Sequence, residues 1–307
     1  MCEIIKEMNN KSRLTSNQKA LVLMILPVLI YIVLFKFIPF AGNIIAFEDF
    51  KILSGIFNSE WVGLKHFQRL FSSDIFYAAF SNTLRINFLE LVVGFPFTIL
   101  LSIMLVEINR HIRPFLQICL YIPFFISWSA LGGMIVQMLS PSVGLPAAIG
   151  SLFGFGYSEI PFLLGNEKSW LVVFVLSEIW QSAGWGTIIY VSSILNMNPS
   201  VYEAAKLDGA SRFYQCIHLT IPLLKPTIII MFILKIGGLL STSFEQVYAL
   251  SNPLVTEVSD VLSTYEYRVG LQGMQFSFAT AIGIFERLVG IVLVFVTRHI
   301  IKKYEER

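Results

Sequence analysis

The run Asn198-Pro199-Ser200-Val201-Tyr202-Glu203-Ala204-Ala205-Lys206-Leu207-Asp208-Gly209-Ala210-Ser211-Arg212 decides how this chain is to be read. It lies at the centre of a polar connection between two apolar blocks, far longer than turning the chain requires. Asn198 or Ser200 can cap a helix start, Pro199 suits its first turn, and Ser200 with Glu203 has the spacing of a capping box. Ala204 and Ala205 leave a thin helix that another protein can approach closely. Gly209 can end it in a left-handed conformation, and a second short helix is expected before Pro222. The stretch reads as a short helix, a sharp turn and another short helix, offered outside the membrane.

Outward from this loop the sequence is apolar. Six spans are expected at roughly 20–40, 84–106, 114–139, 169–195, 222–243 and 276–300, each near the length of about 20 residues that a bilayer demands. Each must be helical, because lipid offers open backbone groups no partner. Across 307 residues, 55% are hydrophobic and 14% charged, with a mean hydropathy of +0.72. A soluble domain carries about 25% charged residues, so this chain has too little polar surface to coat a globule. The expected class is all-α and polytopic. A net charge of +2 without a basic run excludes nucleic-acid binding. Cys2, Cys119 and Cys216 are too few and scattered for a disulfide framework or a metal site, and no apolar signal precedes Cys2.

Orientation follows the lysines and arginines. With the N-terminus inside, cytoplasmic segments hold thirteen of the twenty-two and outer segments five, so both termini are expected in the cytoplasm. The outer connections are then 41–83, 140–168 and 244–275. The first contains an amphipathic stretch at 61–71, expected along the membrane surface. The second is rich in Gly and Pro and is expected to be irregular.

Glu203-Ala204-Ala205, followed by Gly209, Leu219, Pro222 and Pro226, resembles the EAA loop of ABC importer permeases. Leu219 and Ile221 depart from the residues usual there. In that family the loop carries a coupling helix that docks into a cleft on the ATPase. The resemblance therefore implies ATPase coupling through Glu203, Ala204, Ala205, Asp208, Gly209 and Ala210. It covers nearly the whole chain, from Leu26-Pro27 and Pro39-Phe40-Ala41-Gly42 onward. Within the family the chain is similar to the carbohydrate-uptake, maltose-type branch, and there to the first permease of polysaccharide systems. That implies a type I permease fold with six transmembrane helices in a bacterial cytoplasmic membrane. The implied partners are a second, non-identical permease, a cytoplasmic ATPase dimer and an extracytoplasmic sugar-binding protein. The organisation expected is a cytoplasmic tail at 1–19, one membrane domain at 20–300 with the coupling loop at about 196–225, and a cytoplasmic tail at 301–307.

No phosphate-binding loop, H-E-x-x-H, G-x-S-x-G or spaced Cys/His set occurs. The chain is expected to be no enzyme, to hold no metal and to need no cofactor, ATP being bound by partner subunits. His66, His111, His218 and His299 fall at or beyond membrane edges. Ionisable groups within spans are costly and mark cavities or partners; here they are Glu90, Glu178, Lys235, Glu286 and Arg287. The segment Glu178-Ile179-Trp180-Gln181-Ser182-Ala183-Gly184-Trp185-Gly186-Thr187 offers aromatic faces for sugar CH groups and polar groups for hydroxyls. It can equally be read as close helix packing. The resemblance implies sugar contacts on the spans flanking the loop, which places Glu178, Trp180, Gln181 and Trp185 on one and Lys235, Gly238 and Leu239 on the other. Lys235 departs from the small polar residue expected there and could meet an acidic sugar, with Glu178 or Glu286 as its partner in the empty pore. Ala279, Gly283, Glu286 and Gly290 form a packing stripe, and Arg287 is expected to pair with a carboxylate on another span.

The reading is a permease subunit for ATP-driven oligosaccharide import by alternating access. Uronate-containing fragments such as those of alginate, glycosaminoglycan or pectin are among the expected cargoes. Two alternatives stay open: an ABC permease for a non-sugar solute, and an ion-coupled secondary transporter. The latter folds show paired repeats or broken helices, and the sequence displays neither.

Overall fold

The computed structural model describes residues 16–156 and 159–305. The remainder, including Cys2, Lys6, Lys11 and Arg13 of the expected N-terminal tail, lies outside the described residues. Backbone pairing is satisfied within helices almost throughout, as an apolar solvent demands. Besides the single turns Ile38–Ala41 and Thr256–Ser259, the α-helices among the described residues are α1 (Ser16–Ile32), α2 (Lys65–Phe71), α3 (Asp74–Glu107), α4 (Arg113–Tyr121), α5 (Trp128–Met138), α6 (Leu145–Leu152), α7 (Glu167–Leu195), α8 (Pro199–Leu207), α9 (Arg212–Gln215), α10 (Ile221–Gly237), α11 (Phe244–Leu250), α12 (Leu262–Tyr267) and α13 (Phe276–Glu305). One two-stranded antiparallel pair, Glu48–Asp49 with Glu60–Trp61, lies in the connection between the first and second spans.

Among the described residues, five helical stretches are long and apolar enough to cross a bilayer: Val22–Phe47, Asp74–Glu107, Glu167–Leu195, Arg212–Gly237 and Phe276–Lys303. The sixth expected span, 114–139, is not one straight helix. It consists of Arg113–Phe125 and Trp128–Met138, bent by 96°. Pro123 sits in a 3-10 turn after α4, and Ile126 and Ser127 are both extended, so the helical ladder stops and restarts. The sequence shows the proline but not the direction the chain takes beyond it. A broken helix is therefore present after all. Four other boundaries also moved: the first span reaches Phe47, the second begins at Asp74, and the fifth, expected at 222–243, runs from Arg212 and ends at Gly237.

The second and fourth spans pack along each other as the spine of the fold. Trp170, Phe174, Val175 and Ile179 of α7 bury against Ile86 of α3 and against Val247, Leu250 and Val261 of the connection between the fifth and sixth spans. The Trp170 indole donates to the Leu250 carbonyl at 2.9 Å. The amide of Gln246 donates to the Phe174 carbonyl at 3.0 Å and the Ser177 hydroxyl at 3.3 Å. These bonds lash α11 to the upper half of α7. A second cluster joins Leu70, Phe76, Phe278 and Ile282 where α2, α3 and α13 meet. Thus α2, part of the amphipathic stretch at 61–71, packs on α13 through Leu70. The connection between the third and fourth spans is less irregular than its glycines and prolines suggested, because Gly144 and Pro146 open α6. The first span differs from all of these: its most apolar window buries nothing inside the chain.

Candidate functional site

The loop at 198–212 takes the expected first helix and turn, with a sharper choice of cap, whereas the second short helix runs unbroken into the fifth span. The Asn198 side chain, not that of Ser200, accepts the hydrogen bond from the Ser200 amide at 3.1 Å, and Pro199 occupies the first turn. At the other end, the Ala210 amide donates to the Ala205 carbonyl at 2.9 Å and the Gly209 amide to that of Lys206 at 3.1 Å. That pair of bonds is the Schellman ending, and it places Gly209 at φ +79°. Glu203, Ala204, Asp208 and Gly209 are exposed, Ala205 and Ala210 half-buried. Two contacts the sequence did not reveal anchor the loop. The Tyr202 hydroxyl lies 3.1 Å from the Thr220 hydroxyl in the π-helical turn Cys216–Thr220 that leads into α10. Arg212 pairs with Glu107, at the end of α3, at 3.0 Å.

The fifth span, begun at this loop, carries Lys235 into the membrane. At 1.5 Å per residue, Lys235 lies about 21 Å along α10, Glu178 about 17 Å along α7 and Glu90 about 24 Å along α3. Glu90 and Glu178 thus lie in the middle stretches of their helices, and Lys235 lies two residues before α10 ends at Gly237. They meet. The Lys235 ammonium is 3.6 Å from a Glu90 carboxylate oxygen, with the lysine 46% exposed and the glutamate 10%. Glu178 lies within electrostatic reach of both. Its Oε2 is buried and has no hydrogen-bond partner among the described residues. The lysine's expected partners were Glu178 or Glu286; its ion pair is with Glu90 instead. Glu286 accepts from the Ser241 hydroxyl at 2.6 Å on another seam.

These three side chains line one cavity of about 370 Å³. Gly94, Phe95 and Thr98 of α3, Ser182, Trp185, Gly186 and Tyr190 of α7, and Met231 and Leu234 of α10 complete it with Phe124 from the broken span. Spacings of three and four on each helix bring one face of each to the same space. The Trp185 ring stacks on Phe124 with centroids 4.6 Å apart and planes within 3°. Chemically the cavity offers a cation, carboxylate acceptors, hydroxyls and flat apolar faces, which suits a hydroxyl-rich ligand carrying an acid.

The structure thus brings Glu178, Trp185 and Lys235 together and places three other expected residues elsewhere. Trp180 is 55% exposed, about 200° around α7 from Glu178 at 100° per residue. Gln181 is buried, and its amide donates to the Ile126 carbonyl at 3.0 Å. That carbonyl belongs to the break in the third span, so Gln181 supplies the partner that a broken helix needs inside a membrane. Gly238 ends α10. Gly184 has a clear packing reason, since a Cβ there would collide with the Leu120 carbonyl. Arg287 lies 3.5 Å from the Asn43 side-chain oxygen rather than in an ion pair. Glu90, Phe95, Thr98, Phe124 and Tyr190 are among the cavity residues that sequence reasoning did not place on the pathway. Glu90 stood out as an intramembrane acid, but only helix positions choose its partner.

Comparison with known proteins follows from this geometry. Residues 94–306 match the family described as binding-protein-dependent transport system inner membrane components. The chain is 43% identical over 290 residues to the polygalacturonan/rhamnogalacturonan transport system permease YteP of Bacillus subtilis, covering 94% of this chain and 89% of the relative. Its fold is similar to a chain of a bacterial ABC transporter involved in importing the acidic polysaccharide alginate. The TM-score is 0.84 at 33% identity, covering 98% and 99% of the two chains. A structure of a bacterial alginate ABC transporter in complex with an alginate pentasaccharide-bound periplasmic protein matches with TM-score 0.82 and 34% identity, covering 94% and 96%.

Proposed function

This chain belongs to the family of binding-protein-dependent transport system inner membrane components, and from that premise we propose that the Lys235 cavity is the passage for an acidic oligosaccharide. The chain is a multi-pass permease subunit of an oligosaccharide ABC importer and not its ATPase. The relatives' cargoes, polygalacturonan or rhamnogalacturonan and alginate, support an acidic substrate. The observation that carries the reading is the Lys235–Glu90 pair at 3.6 Å within an aromatic-walled cavity. A uronate carboxylate entering there competes with Glu90 for the ammonium. Hydroxyls donate to the unpartnered Glu178 oxygen, and a sugar face lies on the Trp185–Phe124 stack.

The stacking residue is Trp185 rather than Trp180, because only Trp185 faces the cavity. A second, non-identical permease completes the pathway, with both termini in the cytoplasm. An ATPase dimer engages α8 through the exposed edge of Glu203, Ala204, Asp208 and Gly209. A sugar-binding protein delivers cargo from the opposite side. ATP-driven closure of the ATPases pushes α8, and the anchors at Thr220 and Glu107 pass the displacement to α10 and α3, both of which line the cavity. The test is uptake by the complete reconstituted importer carrying Lys235→Met. Transport of uronate oligosaccharides is expected to fall at least tenfold while neutral ones of equal length keep most of their rate. Equal loss for both kinds, with assembly intact, would overturn the reading.

A further inference from the structure

A second cavity, of about 530 Å³, lies in the connection between the fifth and sixth spans, on the opposite side of the membrane from the coupling loop. Its walls are Tyr248 on α11, Asn252, Asp260, Thr264, and Tyr267 and Arg268 at the end of α12. Tyr248 and Tyr267 meet edge to face with centroids 5.8 Å apart, and Phe244 stacks behind Tyr248 at 5.3 Å. Tyr248 is 57% exposed, so its ring is a platform rather than a core side chain. Opposite the rings, Arg268 donates to both oxygens of Asp260, at 3.0 and 2.6 Å, and the Thr264 hydroxyl donates to the same carboxylate at 2.8 Å. The hydrogen bonds with Asp260 push the arginine's pKa further up. A guanidinium has five N–H donors, and this fork uses two of them. The rest, with the carboxylate lone pairs, present donors and acceptors side by side, the pattern that vicinal hydroxyls or a uronate carboxylate pair with.

The position matters as much as the chemistry. The helix that supplies Tyr248 is tied by Gln246 to the Phe174 carbonyl and the Ser177 hydroxyl, and Ser177 directly precedes Glu178 of the first cavity. We propose that this pocket is a second saccharide subsite, which holds one or two units of an acidic oligosaccharide while its leading end enters the Lys235 cavity. The inference rests on the reading that the chain passes oligosaccharides. A concave pocket with two tyrosine rings and a solvent-accessible ion pair favours a sugar over a flat protein surface.

The experiment uses the complete importer in lipid vesicles with saturating liganded binding protein. It compares a uronate tetrasaccharide with the matching disaccharide in wild type, Tyr248→Ala and Tyr267→Phe. Tyr248→Ala is expected to slow the tetrasaccharide roughly five- to tenfold, the scale of one lost aromatic contact, and to leave the disaccharide within about twofold. Tyr267→Phe keeps the ring and is expected to slow the tetrasaccharide less. The affinity of the binding protein for the importer is expected to be unchanged. Equal slowing of both sugars overturns the proposal, as does normal transport of both. Loss of binding-protein affinity also overturns it and makes the pocket a protein-docking surface. Failure of the wild type to carry any oligosaccharide would strike the underlying reading instead, so the two failures are distinguishable.

Discussion

At the scale of single residues, the cavity separates groups that the sequence offers as equals. Glu178, Trp180, Gln181 and Trp185 share one short segment, yet two of them face the cavity and two do not. Trp185→Ala is expected to reduce oligosaccharide uptake roughly tenfold, with complex assembly and basal ATPase activity retained, whereas Trp180→Ala stays within about twofold. Uptake assays on the two variants side by side check this, and the reverse order would move the pathway to the other face of α7. Gln181 is expected to act on stability. Gln181→Leu strands the Ile126 carbonyl, which costs about 1–3 kcal/mol for a buried acceptor left unpaired. Thermal unfolding of the purified complex should show that loss, while uptake per folded complex is preserved. The sequence makes Gln181 look like a sugar contact because polarity inside a span signals function or repair, and only the position of the Ile126 carbonyl says which.

At the scale of elements, the helix and turn at 198–210 were legible almost residue by residue. The helix is specified by local chemistry: a cap at Asn198, a proline in the first turn, alanines along the body and a glycine at the left-handed end. Such signals act within a few residues of each other and need no tertiary information. Gly209→Val places a β-branched residue at φ +79°, which costs on the order of 1–2 kcal/mol and unmakes the turn. The variant is expected to reach the membrane but to lose transport and substrate-stimulated ATPase activity together. Reconstituted ATPase assays check it, and retained stimulation would show that this loop is not the coupling element. The third span was the least legible element. Its composition is that of an ordinary span, and the 96° break is stabilised by a glutamine more than fifty residues away along the chain.

At the scale of the whole molecule, the number of spans and their apolar character followed from composition, because a bilayer filters sequences by length and hydropathy alone. Which faces of those spans look at each other did not follow. The hydrophobic pattern of a membrane helix marks lipid and protein neighbours alike, so Glu90 could not be matched to Lys235 in advance. The three ionisable groups of the cavity have a consequence that belongs to the history of the chain rather than to its resting state. Glu90 comes from the second span, Glu178 from the fourth and Lys235 from the fifth. Synthesis runs from the N-terminus, so both acids are made and inserted ahead of the one base that faces them. A chain halted after Leu195 holds two carboxylates at membrane depth with their cation still to come. The newborn permease is thus an incomplete circuit until its fifth span arrives, and that arrival is the moment at which its two acids first face a cation.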